Sequence, residues 1–356
     1  MVKPNRPPAN AFVAAARKVY NPIGFSKGYN FVLFFIFAGA LMGFTLARLQ
    51  YLDYYGIFCG DPGIGECYFS TRGLMEKGLI MHLAAVLPAS FLVVFQFVPA
   101  IRHKYILVHR VNGYVVLLLS VVSTVGGIMS ARNAFGGALE VQLAVGFIGI
   151  LFVGCLALGY VNIKRLQLEQ HRAWMLRGWF YAASIITLRF IQITMATIIS
   201  SIGGYWAVRQ CAQVNYTLGE ERTRAEYGCE DFFSGKDPLQ HVLVEANMSG
   251  GSAMTAGAAL GLSFGPAIWL AFSLHAIGIE VYLRLTPVEH ERLRNVSYQR
   301  QVEAGMRNPG MAGLTADRLG DSIPWKPSYD SAEEQSAIKL APRESGRGEQ
   351  PDNGRG

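Results

Sequence analysis

Charged side chains are scarce in this chain: Asp, Glu, Lys and Arg make up 16% of 356 residues, against about a quarter in an ordinary soluble domain. That scarcity, with no sustained heptad or Gly-X-Y repeat, excludes a coiled coil, collagen or a disordered polyelectrolyte for most of the chain. Signatures of soluble catalysis are missing as well. There is no GxxxxGK[ST] loop, no dinucleotide fingerprint after a strand, no HExxH and no CxxC pair. No paired-aspartate run stands at the end of an apolar segment to hold Mg²⁺ against a diphosphate, which argues against metal-dependent prenyl transfer. The net charge of +7 is not a nucleic-acid footprint, because the basic residues sit in short connectors and in the C-terminal segment. Neither a nucleic-acid partner nor a metal centre is expected.

What the sequence does hold is apolar length. Hydrophobic residues are 51% of the chain, and a helix needs roughly twenty of them in a row to cross about 30 Å of hydrocarbon. Six segments qualify: Asn30–Ala47, Gly78–Ile101, Val111–Ala131, Val141–Ile163, Gly178–Ile202 and Gly257–Leu283. The expected fold class is therefore all-α, a polytopic transmembrane helical bundle with six spans and membrane lipids as its immediate partners. Its expected organisation is a basic cytosolic N-terminal segment, 1–29, a membrane domain, 30–283, with long loops at 48–77 and 203–256, and a cytosolic tail, 284–356. Residues 1–29 have no apolar core of the kind a cleavable signal carries, so the first span is read as a signal anchor.

Basic connectors stay in the cytosol. Lys3, Arg6, Arg17, Lys18 and Lys27 precede the first span; Arg102, Lys104 and Arg110 follow the second; Lys164, Arg165, Arg172 and Arg177 follow the fourth. The intervening loops lean acidic, so both termini are expected in the cytosol and loops 48–77 and 203–256 in a lumen such as that of the endoplasmic reticulum. Cys59, Cys67, Cys211 and Cys229 all fall in those two loops, where disulfides form. Pairing within each loop closes the shorter separation, giving Cys59–Cys67 and Cys211–Cys229 as the expected bridges, although four cysteines allow three connectivities. Cys155 lies inside a span. Asn215 and Asn247 begin glycosylation sequons in the second loop, while the triplet at Asn295 should be silent in the cytosol. After a short helical continuation near Val288–Met306, the tail is too polar to bury a core and is expected to be largely disordered.

Two connectors share a pattern. His109-Arg110-Val111-Asn112-Gly113 opens the third span and His171-Arg172-Ala173-Trp174-Met175-Leu176-Arg177 opens the fifth. Arginine and tryptophan anchor helices at the headgroup layer, yet imidazole also binds metals or moves protons and guanidinium grips phosphate or carboxylate in bidentate fashion. His109 and His171 share one membrane face at matching depth, and with His275 they form a candidate set of haem ligands under an alternative reading in which haem b is the cofactor. His82 lies towards the other face without a second histidine in a span to pair with it. Arg189 is the most costly residue, about 18 Å along its helix from Arg177. Such a cation should face the bundle interior with a polar partner. Gln192 is one turn away, with Gln96, Gln142 and Thr187 as further neighbours, and no carboxylate is placed at that depth. Candidate ligand-binding residues are accordingly His109, Arg110, His171, Arg172, Arg177, Arg189 and Gln192. Glycines 39 and 43, and 257, 261 and 265, mark faces for close helix packing, and Pro266 should kink the sixth span.

His82, His109-Arg110-x-x-Gly113, His171-Arg172-x-Trp174-Met175-x-Arg177 and Leu188-Arg189 together resemble an uncharacterised polytopic membrane family of bacteria and fungi known chiefly as a domain of unknown function. The resemblance covers about residues 78–202. The span layout is also loosely similar to transmembrane b-type cytochromes. Fungal members of such a family imply secondary-metabolite chemistry on a lipophilic small molecule, including tailoring or cyclisation of isoprenoids and terpenoids, with a non-catalytic carrier or scaffold as the further alternative. A membrane cyclase needs an acid, and Glu76, Glu140 and Glu280 at span ends are the candidates.

Overall fold

In the computed structural model, residues 7–60, 63 and 65–328 are described; the expected behaviour of the tail from 329 onward lies outside them. One short helix precedes the first span. Helix α1 (Ala11–Tyr20) is capped by Asn10, whose side chain accepts from the Val13 N–H. Helix α2 (Gly28–Arg48) then carries a run of aromatic and aliphatic residues and ends in a 3₁₀ turn, Leu49–Leu52. The turn of helix α3 (Cys67–Ser70) leads to α4 (Gly73–Gln96), the second span. This span stops five residues short of the expected Ile101, because Val98 precedes Pro99 and takes extended geometry, and the proline starts a separate helix, α5 (Pro99–Lys104).

Helix α6 (Ile106–Ser130) returns against α4. The two are held close by small residues: a Cβ on Gly126 would lie 2.5 Å from the Gly78 carbonyl oxygen. Polar bonds run along the seam, from Asn112 Nδ2 to the Leu92 carbonyl (3.0 Å) and from Gln96 Nε2 to the His109 carbonyl (3.1 Å). His82 Nδ1 lies 2.9 Å from the Ser123 carbonyl. A 3₁₀ segment, Ala131–Gly136, breaks the chain before α7 (Leu139–Lys164), and α8 (Leu168–Ile202) follows. Strand β1 (Trp206–Gln210), helices α9 (Cys211–Leu218), α10 (Glu220–Tyr227) and α11 (Glu230–Phe233), and strand β2 (His241–Glu245) make up the second loop. The strands pair antiparallel, Trp206 opposite Glu245. Val214, Val244, Met254, Ala258 and Ala196 form a buried cluster beneath them. The last span is α12 (Ala253–Arg284), N-capped by Ser252 and continuous through Pro266.

Six helical segments in the described residues are therefore long and apolar enough to cross a membrane. Both expected disulfides are formed, Cys59–Cys67 and Cys211–Cys229, and Cys155 stays a buried thiol. The expectation of close packing holds for only part of the glycine set. A Cβ on Gly39 or Gly43 would meet nothing within 4 Å, whereas one on Gly261 or Gly265 would strike Arg209 or Glu140.

The described chain divides into two compact units. The first comprises the described residues up to Tyr160 and Arg172–Leu285; the second comprises Val161–His171 and the described residues from Thr286 onward. The second carries specific side-chain contacts between its described segments. Helix α13 (Pro287–Glu303) presents Ser297 to Glu169 and to the Leu168 N–H, and Gln301 bonds the Arg165 and Met311 carbonyls. Helix α14 (Ala316–Leu319) brings Asp317 to 2.7 Å from Arg294, whose guanidinium stacks 4.6 Å from the Trp325 ring. Buried amides and one aromatic anchor give this polar segment the contacts that its average composition conceals.

Candidate functional site

The 3₁₀ segment before α7 shapes the most unusual part of the first unit. Phe135 has left-handed backbone geometry, φ 49°, which costs an aromatic residue of order 1–3 kcal/mol unless its surroundings impose it. Three contacts do so. Its N–H donates to Glu66 Oε2 (2.8 Å). Its ring stacks on Phe264 of α12 at 4.0 Å between centroids and an interplanar angle of 6°. Above the pair lies Arg189 of α8, its guanidinium carbon 5.0 Å from the Phe135 ring and 5.7 Å from the Phe264 ring. Arg189 Nη1 donates to Gln192 Oε1 (3.0 Å), and buried Gln192 donates in turn to the Leu260 carbonyl (2.9 Å). Among the described residues no carboxylate lies within ion-pair distance of Arg189. The side of an aromatic stack and one amide thus stand where a counter-ion would be expected.

Beside this stack a second arginine is enclosed. Arg209 of β1 is 7% exposed and sends Nη2 to the Gly257 carbonyl (3.2 Å). A Cβ on Gly136 would sit 2.5 Å from its Nη1, and one on Gly261 would sit 2.6 Å from its Nη2. Burial lowers the Arg209 pKa, and Glu66 opposes that shift. Glu66 is pushed up to about 7, first by burial, with Arg209 and the Phe135 N–H pulling it back. A carboxyl in that condition exchanges its proton near neutrality.

That pKa has a thermodynamic consequence. The unfolded carboxyl ionises near its ordinary 4.5 while the folded one holds its proton until about 7, so folding stability falls as pH rises through that window, by about 3 kcal/mol. Glu66→Gln keeps an acceptor for Phe135 and cannot ionise. Melting curves of detergent-purified protein should therefore decline from pH 5 to pH 8 for the wild type and stay flatter for Glu66→Gln. Parallel declines would remove Glu66 as the titrating group.

A second set of polar contacts joins α8, α12 and α2. Arg177 makes a two-point ion pair with Glu280, at 2.6 and 3.0 Å, while its guanidinium carbon lies 4.8 Å from the Trp174 ring. Arg172 Nη2 donates to Tyr282 Oη (3.1 Å), which donates to Asn30 Oδ1 (3.0 Å). His275 has both ring nitrogens engaged, Nδ1 2.8 Å from the Phe180 carbonyl and Nε2 2.8 Å from Thr187 Oγ1. A haem iron on either nitrogen has to displace one of these.

Of the residues singled out from the sequence, Arg189 and Gln192 come together as expected. The other proposed neighbours of Arg189 are committed elsewhere: Gln96 to His109, Gln142 to the Gly137 carbonyl, Thr187 to His275. His109 and Arg110 stand at the start of α6, in the first unit, whereas His171 belongs to the second. No cluster of three or more metal-ligating side chains occurs among the described residues. Sequence reasoning missed Glu66, Phe135, Phe264 and Arg209. Phe135-Gly136-Gly137 offered a turn signal, but nothing local marked Glu66 as buried.

Comparison with known proteins finds similarity over the part of the chain that holds the His-Arg hairpins and Arg189. Residues 79–217 match the family described as predicted membrane protein, DUF2306. The matched segment contains every motif on which the resemblance to an uncharacterised polytopic family rests, from His82 to Arg189, together with Phe135 and Arg209. Glu66, Arg48 and Phe264 lie outside it. The chain is also similar to Ava biosynthesis cluster protein G of Aspergillus versicolor, 25% identical over 321 residues that cover 73% of this chain and 90% of that protein. No solved structure matches the chain.

Proposed function

We propose that this multi-pass membrane protein acts on a lipophilic small molecule in fungal secondary metabolism, at a tailoring or cyclisation step of an isoprenoid or terpenoid. The observation that carries the reading is Arg189: a cation inside a span, without a carboxylate, held over a stacked Phe135–Phe264 pair. An intramembrane charge is costly and marks function by default. Aromatic faces beside it offer an apolar seat for a hydrocarbon body, and Glu66 on the adjoining turn holds a proton that it can exchange near neutral pH. The name of the Aspergillus relative, which assigns that protein to a biosynthesis cluster, supports the setting. In this reading the protein resides in the endoplasmic reticulum with both termini cytosolic, its disulfide-bonded loops in the lumen and Asn215 and Asn247 open to glycosylation.

Deletion of the gene, with extraction of metabolites, tests the proposal. Accumulation of a lipophilic precursor is the expected result, and an unchanged profile would overturn it. The haem b reading, with His109 and His171 as axial ligands, is separated by absorbance: a fully folded, colourless preparation without a Soret band excludes it.

A further inference from the structure

The second unit holds a loop that is fastened by specific bonds and yet shows its aliphatic side chains to solvent. Asp317 pairs with Arg294 of α13 at 2.7 Å, Trp325 Nε1 donates to Glu291 Oε1 at 2.8 Å, and the Ser328 N–H donates to Asn295 Oδ1 at 2.9 Å. Between the first and the second of these, α14 is a single closed turn. The Leu319 N–H donates to the Thr315 carbonyl at 3.1 Å, the Asp321 N–H donates to the Ala316 carbonyl at 2.9 Å, and Gly320 takes left-handed geometry, φ 81°. Leu314 stands just before the N-cap Thr315 and Leu319 four residues after it, the two positions that a hydrophobic staple brings to one side of a helix start. They are 79% and 69% exposed, and Ile323 is 88% exposed. The turn thus spends Asp317 on α13 and leaves its leucines in solvent.

Holding three aliphatic side chains in water forgoes the gain from burying them, so a fixed arrangement of this kind suits an apolar medium. The medium at hand is the bilayer. The chain enters this unit from α7 and from α12 and leaves it into α8, three helices long and apolar enough to span. Only Leu285 and Thr286 separate α12 from α13. Charge points the same way. Arg307, Arg318 and Lys326 are exposed, and among the described residues none has a carboxylate within ion-pair distance. Asp317 is spent on Arg294, which leaves Asp321 as the one acid of the loop without an ion pair among the described residues. Segments that lie on a membrane combine inserted aliphatics with Arg and Lys that attract anionic lipids.

We propose that residues 314–326 dock on an anionic lipid surface, that of the protein's own bilayer. Leu314, Leu319 and Ile323 enter the headgroup layer, and Arg318 and Lys326 meet lipid phosphates.

The test uses the full-length protein, one copy per nanodisc, in phosphatidylcholine with or without phosphatidylserine. Ile323→Cys carries a nitrobenzoxadiazole label, and Glu221→Cys, exposed on α10, carries the same label as a reference. Lipid bearing a nitroxide just below its headgroup quenches a label in the membrane, and iodide quenches one in water. With phosphatidylserine present, the label at position 323 should be quenched by the nitroxide lipid and shielded from iodide, while that at position 221 responds to iodide alone. Arg318→Gln and Lys326→Gln should each lower the ratio of docked to free loop roughly fivefold, the effect of one base at an anionic surface. Leu319→Ser should lower it roughly tenfold. Melting temperatures establish that each variant is folded. Equal access of iodide to positions 323 and 221 in both lipid mixtures would overturn the proposal. So would shielding from iodide without quenching by the nitroxide lipid, which identifies protein as the cover. Docking that is the same with and without phosphatidylserine would overturn it too, since the bases then take no part.

Discussion

Arg189→Leu is expected to lower metabolite output roughly a hundredfold while leaving membrane insertion intact. Leucine removes an insertion penalty of at least ~2.5 kcal/mol, so abundance should hold or rise. What disappears is a guanidinium that bonds Gln192 and lies against Phe135 and Phe264; charge-assisted contacts of this kind are worth about 3 kcal/mol when a ligand depends on them. Arg189→Lys keeps the charge and loses the planar fork, so output should fall in the order Arg, Lys, Leu. The readout is metabolite per membrane-inserted protein. Wild-type output from the leucine variant would show that the buried cation serves only the architecture of the bundle.

Gly136→Ala should cost about 3 kcal/mol of stability, an unusually large effect for adding one methyl group. Gly136 has φ +90°, which alanine adopts only under strain, and the new Cβ would stand 2.5 Å from Arg209 Nη1. Arginine side chains usually swing aside. Arg209 has little room to do so, because on its other side Gly261 leaves only 2.6 Å between an ideal Cβ position and Nη2, and the residue is 7% exposed. Displacing the guanidinium breaks its bond to the Gly257 carbonyl and separates it from Glu66. Thermal melting in detergent reports the loss. Pairing the substitution with Arg209→Ala should recover part of it, since the methyl group then has space; equal melting temperatures for Gly136→Ala and wild type would show that Arg209 moves freely.

The elements that were legible in the sequence are those governed by local periodicity and composition. Apolar runs gave the six spans, and short loop closure gave both disulfides, because neither depends on knowing which helices touch. Arg189 was legible as a cost, and Gln192 as its partner, because the two share one helix. Phe264 and Arg209 were not, since their meaning comes from three segments meeting: the turn at Phe135, the face of α12 at Gly261 and the edge of β1. Glu66 was overlooked in favour of Glu76, Glu140 and Glu280 because those stand at span ends. Of these, Glu280 is neutralised by Arg177, while half-buried Glu66, in a loop, is the one that accepts from the Phe135 N–H. The contacts of residues 286–328 were not legible either. The average polarity of that segment hid Trp325, which donates to Glu291, and Gln301, which accepts from the Gly310 N–H and donates to the Met311 carbonyl.

Helix α2 packs lightly: in the most apolar window of Gly28–Leu52 only 6% of residues are buried. Most of that helix is therefore left for lipid to cover. For a molecule arriving from that side the bilayer is the solvent, and its concentration there is set by partitioning, about 0.8 kcal/mol favouring the membrane for each methylene buried. A chain of ten methylenes is thus enriched by many orders of magnitude before it meets the protein. Saturation would then follow the mole fraction of ligand in the membrane, and dilution with inert lipid, at constant total ligand, would slow turnover.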